Sequence, residues 1–161
     1  MRQFIASVVV TATVTVPAVA SQSRGAASTG GRIGACSLLT RDVIMKFGTE
    51  NGKRFVDLLK PNEEPMGTTG SSCGYGGVQF QLDPFARSEQ LRKSPGKDWQ
   101  PVSGVGETAY FHNNANRWAE LMVWSGAHHF TIQQDVPMGS TAEAMKPNTI
   151  ALANYLITKL R

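Results

Sequence analysis

The sequence predicts an α+β domain: an antiparallel sheet of meander type, flanked by N-terminal and C-terminal helices and held by one disulfide. Three observations predict it. Gly77-Val78-Gln79-Phe80-Gln81-Leu82-Asp83 alternates apolar and polar residues without a break, which is the period of a half-buried strand. Residues 107–136 hold successive apolar runs separated by short turn-forming segments, the pattern of a meander. The end of the chain carries apolar residues at helical spacing, as a helix packed on a sheet requires.

Composition narrows the class. The chain has 161 residues, 41% hydrophobic and 17% charged, which excludes an intrinsically disordered polymer and fits one domain. With 16 Gly, 8 Pro and 2 Cys, it is neither collagenous nor a disulfide-dense mini-protein. The balance of 16 Lys+Arg against 12 Asp+Glu is mildly basic. No stripe of basic residues accompanies it, so a nucleic-acid partner is not expected.

Residues 1–20 read as a signal peptide. Met1-Arg2-Gln3 is a short positive start, Phe4 to Ala20 carries no charge, and the segment ends Ala18-Val19-Ala20, an Ala-x-Ala cleavage pattern. A membrane anchor is the rival reading, but a spanning helix wants roughly 20 apolar residues, and this stretch contains Thr, Ser and Pro17. A buried strand is the other alternative, because Val and Thr favour strands. No transmembrane span is expected after cleavage. Residues 21–34 (SQSRGAASTGGRIG) have the composition of a flexible linker, and the domain is expected over 35–161.

Export changes what Cys36 and Cys73 mean. In an oxidising compartment their simplest state is a disulfide. Lipidation of Cys36 is an alternative, since Ile33-Gly34-Ala35-Cys36 loosely mimics a lipobox, although the polar linker before it supplies no apolar segment. A catalytic thiol is the other, and it needs a neighbouring base that the sequence does not reveal.

The remaining elements follow in order. Arg41 to Phe47 is a helix with Thr40 as N-cap and Gly48 where a C-terminal cap belongs. A second short helix is expected over Gly52 to Leu59, with Phe55, Leu58 and Leu59 on one side. Residues 61–72, rich in Pro, Gly, Ser and Thr, read as a loop. The strand 77–83 follows, then a short surface helix over 85–93 broken by Ser94-Pro95-Gly96-Lys97. The meander strands fall near 107–111, 117–124 and 128–136, with turns at 112–116 and 125–127. In the middle strand Leu121 and Val123 face one way and Trp118, Met122 and Trp124 the other. In the last strand Phe130, Ile132, Gln134 and Val136 share a face. Ser140-Thr141-Ala142-Glu143 has capping-box spacing. Pro147 is expected to start the main C-terminal helix, whose stripe is Ile150, Ala153, Ile157 and Leu160, joined by Leu156.

Several motifs carry chemistry elsewhere and not here. Gly104-Val105-Gly106-Glu107-Thr108-Ala109 matches a dinucleotide pattern, but that site needs a strand before it and a helix after it. A tight turn entering a strand is the better reading, and no cofactor is expected. Ser94-Pro95-Gly96-Lys97 matches Ser-x-x-Lys, but the proline and glycine break the helix which that motif opens. Adjacent strand residues point to opposite faces, so His128 and His129 do not read as joint metal ligands, and His112 falls at the far end of the meander. Trp99, Trp118, Trp124 and Tyr75 are candidate ligand contacts. Aromatic rings on a sheet face suit either a binding cleft or core packing.

Taken together, these features resemble a family of uncharacterised bacterial cell-envelope proteins, many of them lipoproteins and common in actinobacteria. The resemblance rests on Ala35-Cys36-Ser37-Leu38-Leu39-Thr40, on Ser72-Cys73-Gly74-Tyr75 and on Val102-Ser103-Gly104-Val105-Gly106-Glu107-Thr108-Ala109. It extends to Leu152-Ala153 and the Lys159-Leu160 helix end. It implies a compact α+β domain with a Cys36–Cys73 bridge, and no catalytic residues to carry over. Distantly similar architecture occurs in extracytoplasmic sensor domains. Unlike the lipoprotein members, this chain lacks a lipid-accepting cysteine at the end of its signal.

The functional expectation is a secreted or periplasmic, non-enzymatic domain that binds a small molecule, glycan or protein of the cell envelope. Two other classes stay open. One is a small secreted hydrolase using His128 or His129 with Asp135 or Glu107. The other is a structural envelope protein without a ligand.

Overall fold

The computed structural model of the chain describes residues 33–84, 88–115 and 117–161. The signal-peptide reading of 1–20, and most of the linker reading, lie outside the described residues. Three short helices come first: α1 (Ala35–Leu38), α2 (Arg41–Phe47) and α3 (Glu50–Phe55). Strands β1 (Asn62–Met66), β2 (Gly70–Tyr75) and β3 (Val78–Leu82) follow. Helix α4 (Ser88–Lys93) precedes β4 (Trp99–Pro101), β5 (Thr108–Asn114), β6 (Trp118–Ser125) and β7 (His128–Asp135), and α5 (Ala142–Leu160) comes last.

All seven strands form one antiparallel sheet in the order β1-β2-β3-β7-β6-β5-β4. It consists of two meanders, β1–β3 and β4–β7, joined where β3 pairs with β7. The alternation read from the sequence sets the faces. Val78, Phe80, Leu82, Phe111, Leu121, Val123, Phe130 and Ile132 point to one side and are buried. Helices α2 and α5 cover that side.

Gln134 sits on the same core side and is fully buried. Its amide donates from Nε2 to the Phe47 carbonyl at 2.8 Å and accepts at Oε1 from the Thr149 hydroxyl at 2.7 Å. One polar side chain thus locks β7 to the end of α2 and the start of α5. A buried amide is tolerated because its donor and acceptor are both used.

Cys36 and Cys73 form a disulfide with Cα atoms 4.9 Å apart, joining α1 to β2. Bonded sulfurs leave neither a lipid-accepting nor a nucleophilic thiol.

The elements depart from the sequence expectations in identifiable places. Residues 61–72 are not a loop: β1 and the first half of β2 lie there. Asn62–Met66 is an almost fully exposed edge strand, and Gly70–Tyr75 is made mainly of small residues. Neither has strand-like composition; β2 is held by its pairing with β3, and β1 by its pairing with β2. Strand β4 was not expected, and β5 runs through His112 to Asn114 rather than turning there. Helix α3 ends at Phe55, short of Leu59. The cap of α5 is Thr141, whose hydroxyl accepts from the Ala144 N–H at 3.1 Å, and Pro147 lies inside the helix. The buried stripe of α5 is Thr149, Leu152, Ala153, Leu156 and Ile157. Of the expected stripe, Ala153, Leu156 and Ile157 are buried, and Ile150 and Leu160 are half-buried against the same core.

Candidate functional site

The second face of the sheet carries the polar and aromatic residues. The register sets Trp99, His112, Glu120, Gln133 and Gln79 side by side across β4, β5, β6, β7 and β3. One residue pair further along, Trp118 on β6 faces Asp135 on β7. At the opposite end, α4 lies over the face. Tyr110 donates its hydroxyl proton to the Arg92 carbonyl at 2.9 Å, and the Arg92 guanidinium donates to the Thr108 hydroxyl at 3.3 Å. Met122 and Trp124 are buried at that end, while the Trp118 end stays open.

The four aromatic candidates therefore divide. Trp118 and Trp99 are half-buried on the open part of the face. Trp99 stacks on the His112 ring with centroids 4.9 Å apart. Trp124 is only 4% exposed and packs edge-on to Tyr110. Tyr75 points into the core, and its hydroxyl donates to the Val56 carbonyl at 3.1 Å. Trp124 is taken up in packing, whereas Tyr75, with its hydroxyl engaged in the core, also lines a small cleft beside Trp118.

Trp118 stands at the junction of two clefts. The larger, of about 880 Å³, is lined by Phe55, Leu59, Arg117, Trp118, Asp135 and Met138 among others. The smaller, of about 290 Å³, runs onto the open sheet face along Gln79 and Gln133. Both share Leu59, Gly76, Gly77, Trp118 and Asp135. The floor is a β-turn. Gly76 and Gly77 both have positive φ, at +57° and +73°, a conformation that glycine adopts without a Cβ penalty. A Cβ on Gly52 would run into the Gly76 carbonyl, so the close approach of α3 to this turn depends on glycine.

Asp135 is the carboxylate common to both clefts, with Arg117 on the wall of the larger and Lys60 on that of the smaller. Its backbone N–H donates to the Gly77 carbonyl at 2.9 Å, which fixes it over the turn. Its carboxylate makes no hydrogen bond or ion pair among the described residues. Partial burial raises its pKa above the usual carboxylate range, since desolvation disfavours the charged form. Nearby, Glu120 accepts from Gln133 Nε2 at 2.9 Å and lies 3.3 Å from His112 Nδ1. That chain holds Gln133 and His112 in place beneath the smaller cleft.

The other histidines meet at a different end. The Asp83 carboxylate contacts His128 Nδ1 at 2.9 Å and His129 Nδ1 at 3.4 Å, and accepts from the His129 backbone N–H at 2.9 Å. The acidic partner is thus Asp83. Asp135 lies at the far end of β7, and Glu107 is engaged by Arg92 and the Gly126 N–H. Burial alone would raise the Asp83 pKa, but hydrogen bonds from His129 and His128 outweigh it and hold the pKa at about 2. Asp83 also adopts φ +47°, which is sparsely populated outside glycine, asparagine and aspartate. His112 is not a solvated turn residue; it lies within β5 against Trp99 and Glu120. Among the described residues no group of three or more His, Cys, Asp or Glu side chains is arranged to hold a metal ion.

Of the site, sequence reasoning found Trp118 and Trp99. It missed Leu59, Arg117, Gln133 and the turn glycines as site residues, and weighed Asp135 only as a hydrolase partner. The adjacent glycines Gly76-Gly77 before an alternating strand were the available signal. Comparison with protein-family models, with curated proteins and with solved structures finds no match to this chain.

Proposed function

We propose that the chain acts outside the cytoplasm as a non-enzymatic binding domain of the cell envelope, and that its ligand is a glycan seated across Trp118 and Asp135. The observation that carries this reading is the meeting of two clefts at a half-exposed indole ring and a carboxylate that has no hydrogen-bond or ion-pair partner among the described residues. A sugar offers an apolar C–H face to an aromatic ring and hydroxyl donors to a carboxylate or amide. Trp118 supplies the ring, and Asp135, Gln79 and Gln133 supply the polar groups. Trp99 extends the platform. Strand geometry puts its Cα about 12 Å from that of Trp118, a span that suits an oligosaccharide better than a single sugar. The signal-like pattern of residues 1–20 and the Cys36–Cys73 bridge support an oxidising, extracytoplasmic location. The resemblance to cell-envelope proteins points the same way.

The test is a fluorescence titration with chitotetraose, cellotetraose, mannotetraose and solubilised peptidoglycan. At least one should perturb tryptophan emission saturably. Trp118→Ala should weaken that binding about tenfold or more, which corresponds to about 1.4 kcal/mol. Trp124→Phe, at a buried position, should leave it unchanged. If no glycan in the panel binds, or if Trp118→Ala binds as well as the wild type, the reading fails.

A hydrolase reading draws on the Asp83–His128 contact. Asp83 holds Nδ1 and leaves Nε2 as the unengaged nitrogen, and His128 lines a separate cleft with Ser125. This has the outline of an oriented base. Ser125 makes no side-chain hydrogen bond to His128 among the described residues, so no activated hydroxyl is assembled. The binding reading is therefore preferred.

A further inference from the structure

The sequence sets Phe55, Leu58 and Leu59 on one side of the segment, and in the structure that side faces outward. Leu58 is 80% exposed, Phe55 and Leu59 are each nearly half exposed, and Met138 is fully exposed. The turn that follows α3 builds the patch. The N–H groups of Leu58 and Leu59 both donate to the Phe55 carbonyl, at 2.9 and 3.1 Å, so the three side chains follow one another at helical spacing. Met138 joins them across the mouth of the larger cleft. Large apolar side chains grouped in this way mark an interaction surface rather than ordinary exposure.

Charge says what the surface meets. Arg54 precedes Phe55, Lys60 follows Leu59, and Arg117 lies on the cleft wall. All three are exposed and form no ion pair among the described residues. Of the acids in the same region, Glu50 pairs with Lys53 and Asp57 pairs with Arg41, which leaves the exposed Asp135 on the cleft wall as one negative charge against the three cations. We infer that the Phe55–Lys60 turn and Met138 dock the domain onto an anionic lipid bilayer, with the apolar side chains entering the headgroup region and the three cations contacting lipid phosphates. This combination of apolar tips and flanking cations is that of interfacial membrane association. A second copy of the chain is a poorer occupant, because a two-fold contact would set unpaired cations against their own equivalents. Among the described residues no helix is long and apolar enough to cross a membrane, so the contact is peripheral. The inference goes beyond the glycan reading and stands without it.

Hydrogen exchange of the full chain with and without vesicles tests it, because the readout is local to the patch whatever else the chain touches. Vesicles of phosphatidylglycerol and phosphatidylcholine should slow exchange over residues 54–60 and 138–140. Three cations near an anionic surface give roughly a 100-fold preference over phosphatidylcholine alone. The protection should fade in high salt, as the Debye length falls to about 3 Å at 1 M. Arg54→Glu with Leu58→Ser should abolish it. Both positions are exposed and neither lines the clefts, so glycan binding by this variant, measured without vesicles, should persist. The inference is overturned if these segments stay unprotected with anionic vesicles, or if neutral vesicles protect them equally. Protection that rises with protein concentration in the absence of lipid overturns it in favour of self-association.

Discussion

Asp83 ties the end of β3 to the start of β7, and its removal is the most informative single perturbation of the fold. Its pKa of about 2, against an ordinary 3.8, means that the folded state favours the ionised form. At 1.36 kcal/mol per pKa unit, the difference is worth at most about 2.4 kcal/mol. The side chain is 24% exposed, and solvent screens part of the interaction, which leaves about 1–2 kcal/mol. Asp83→Asn keeps an acceptor for the His129 N–H and tolerates a positive φ, so it should lose that amount and little else. Asp83→Ala loses the acceptor too and strains a left-handed residue, adding about 1 kcal/mol. The sign with pH follows from the lowered pKa. The contribution is fully present above the unfolded value near 3.8 and is lost as pH falls through about 2. Urea unfolding followed by tryptophan emission reads this directly, since buried Trp124 lies beside His129 with ring centroids 6.3 Å apart. The gap between wild type and Asp83→Asn should be about 1–2 kcal/mol at pH 6 and close to zero at pH 2. A gap that stays constant across this range would refute the electrostatic account.

Two further outcomes are expected. The Cys36–Cys73 bridge closes a loop with a sequence separation of 37, so Cys36→Ser with Cys73→Ser should cost about 4 kcal/mol through the unfolded chain's entropy. The melting temperature under non-reducing conditions should then fall by about 10 °C or more, and an unchanged melting curve would remove the bridge from the stability of the fold. Asp135→Asn should separate stability from binding. The raised pKa means that the charged form weakens the folded state, so the substitution should raise the melting temperature at pH 7. The gain should shrink as pH falls through the raised pKa and vanish below the ordinary value of 3.8. The same variant should bind glycan more weakly, and a loss of both properties would show Asp135 to be structural.

Local pattern accounts for what was legible. Val78, Phe80 and Leu82 alternate, and the sheet buries all three. The turns after Asn114 and Ser125 are short and the strands on either side are apolar, so the hairpins of the second meander stood out. The first meander did not. Asn62–Met66 and Gly70–Ser72 carry no large apolar residue except Met66, and their strand state comes from pairing in succession onto the alternating strand β3. Helix α5 and most of its inward stripe were evident; the inward placement of Thr149 was not. Thr149 faces inward because Gln134 waits there to accept its hydroxyl proton, and that pairing joins residues with no sequence pattern in common.

The same division holds for the site. The sequence by itself determined the α+β class, the pairing partners among two cysteines and the presence of aromatic residues on a strand face, because each depends on composition or on a short period. Tertiary structure alone decided which rings stay open. Trp118 and Trp124 share a face of β6, yet Trp124 is buried against Tyr110 and His129 while Trp118 stays half-exposed beside Asp135. It also decided that the apolar stripe after α3 faces outward. Amphipathic spacing places side chains on one side of a turn, but only the packing of the whole chain decides whether that side meets the core or the surroundings.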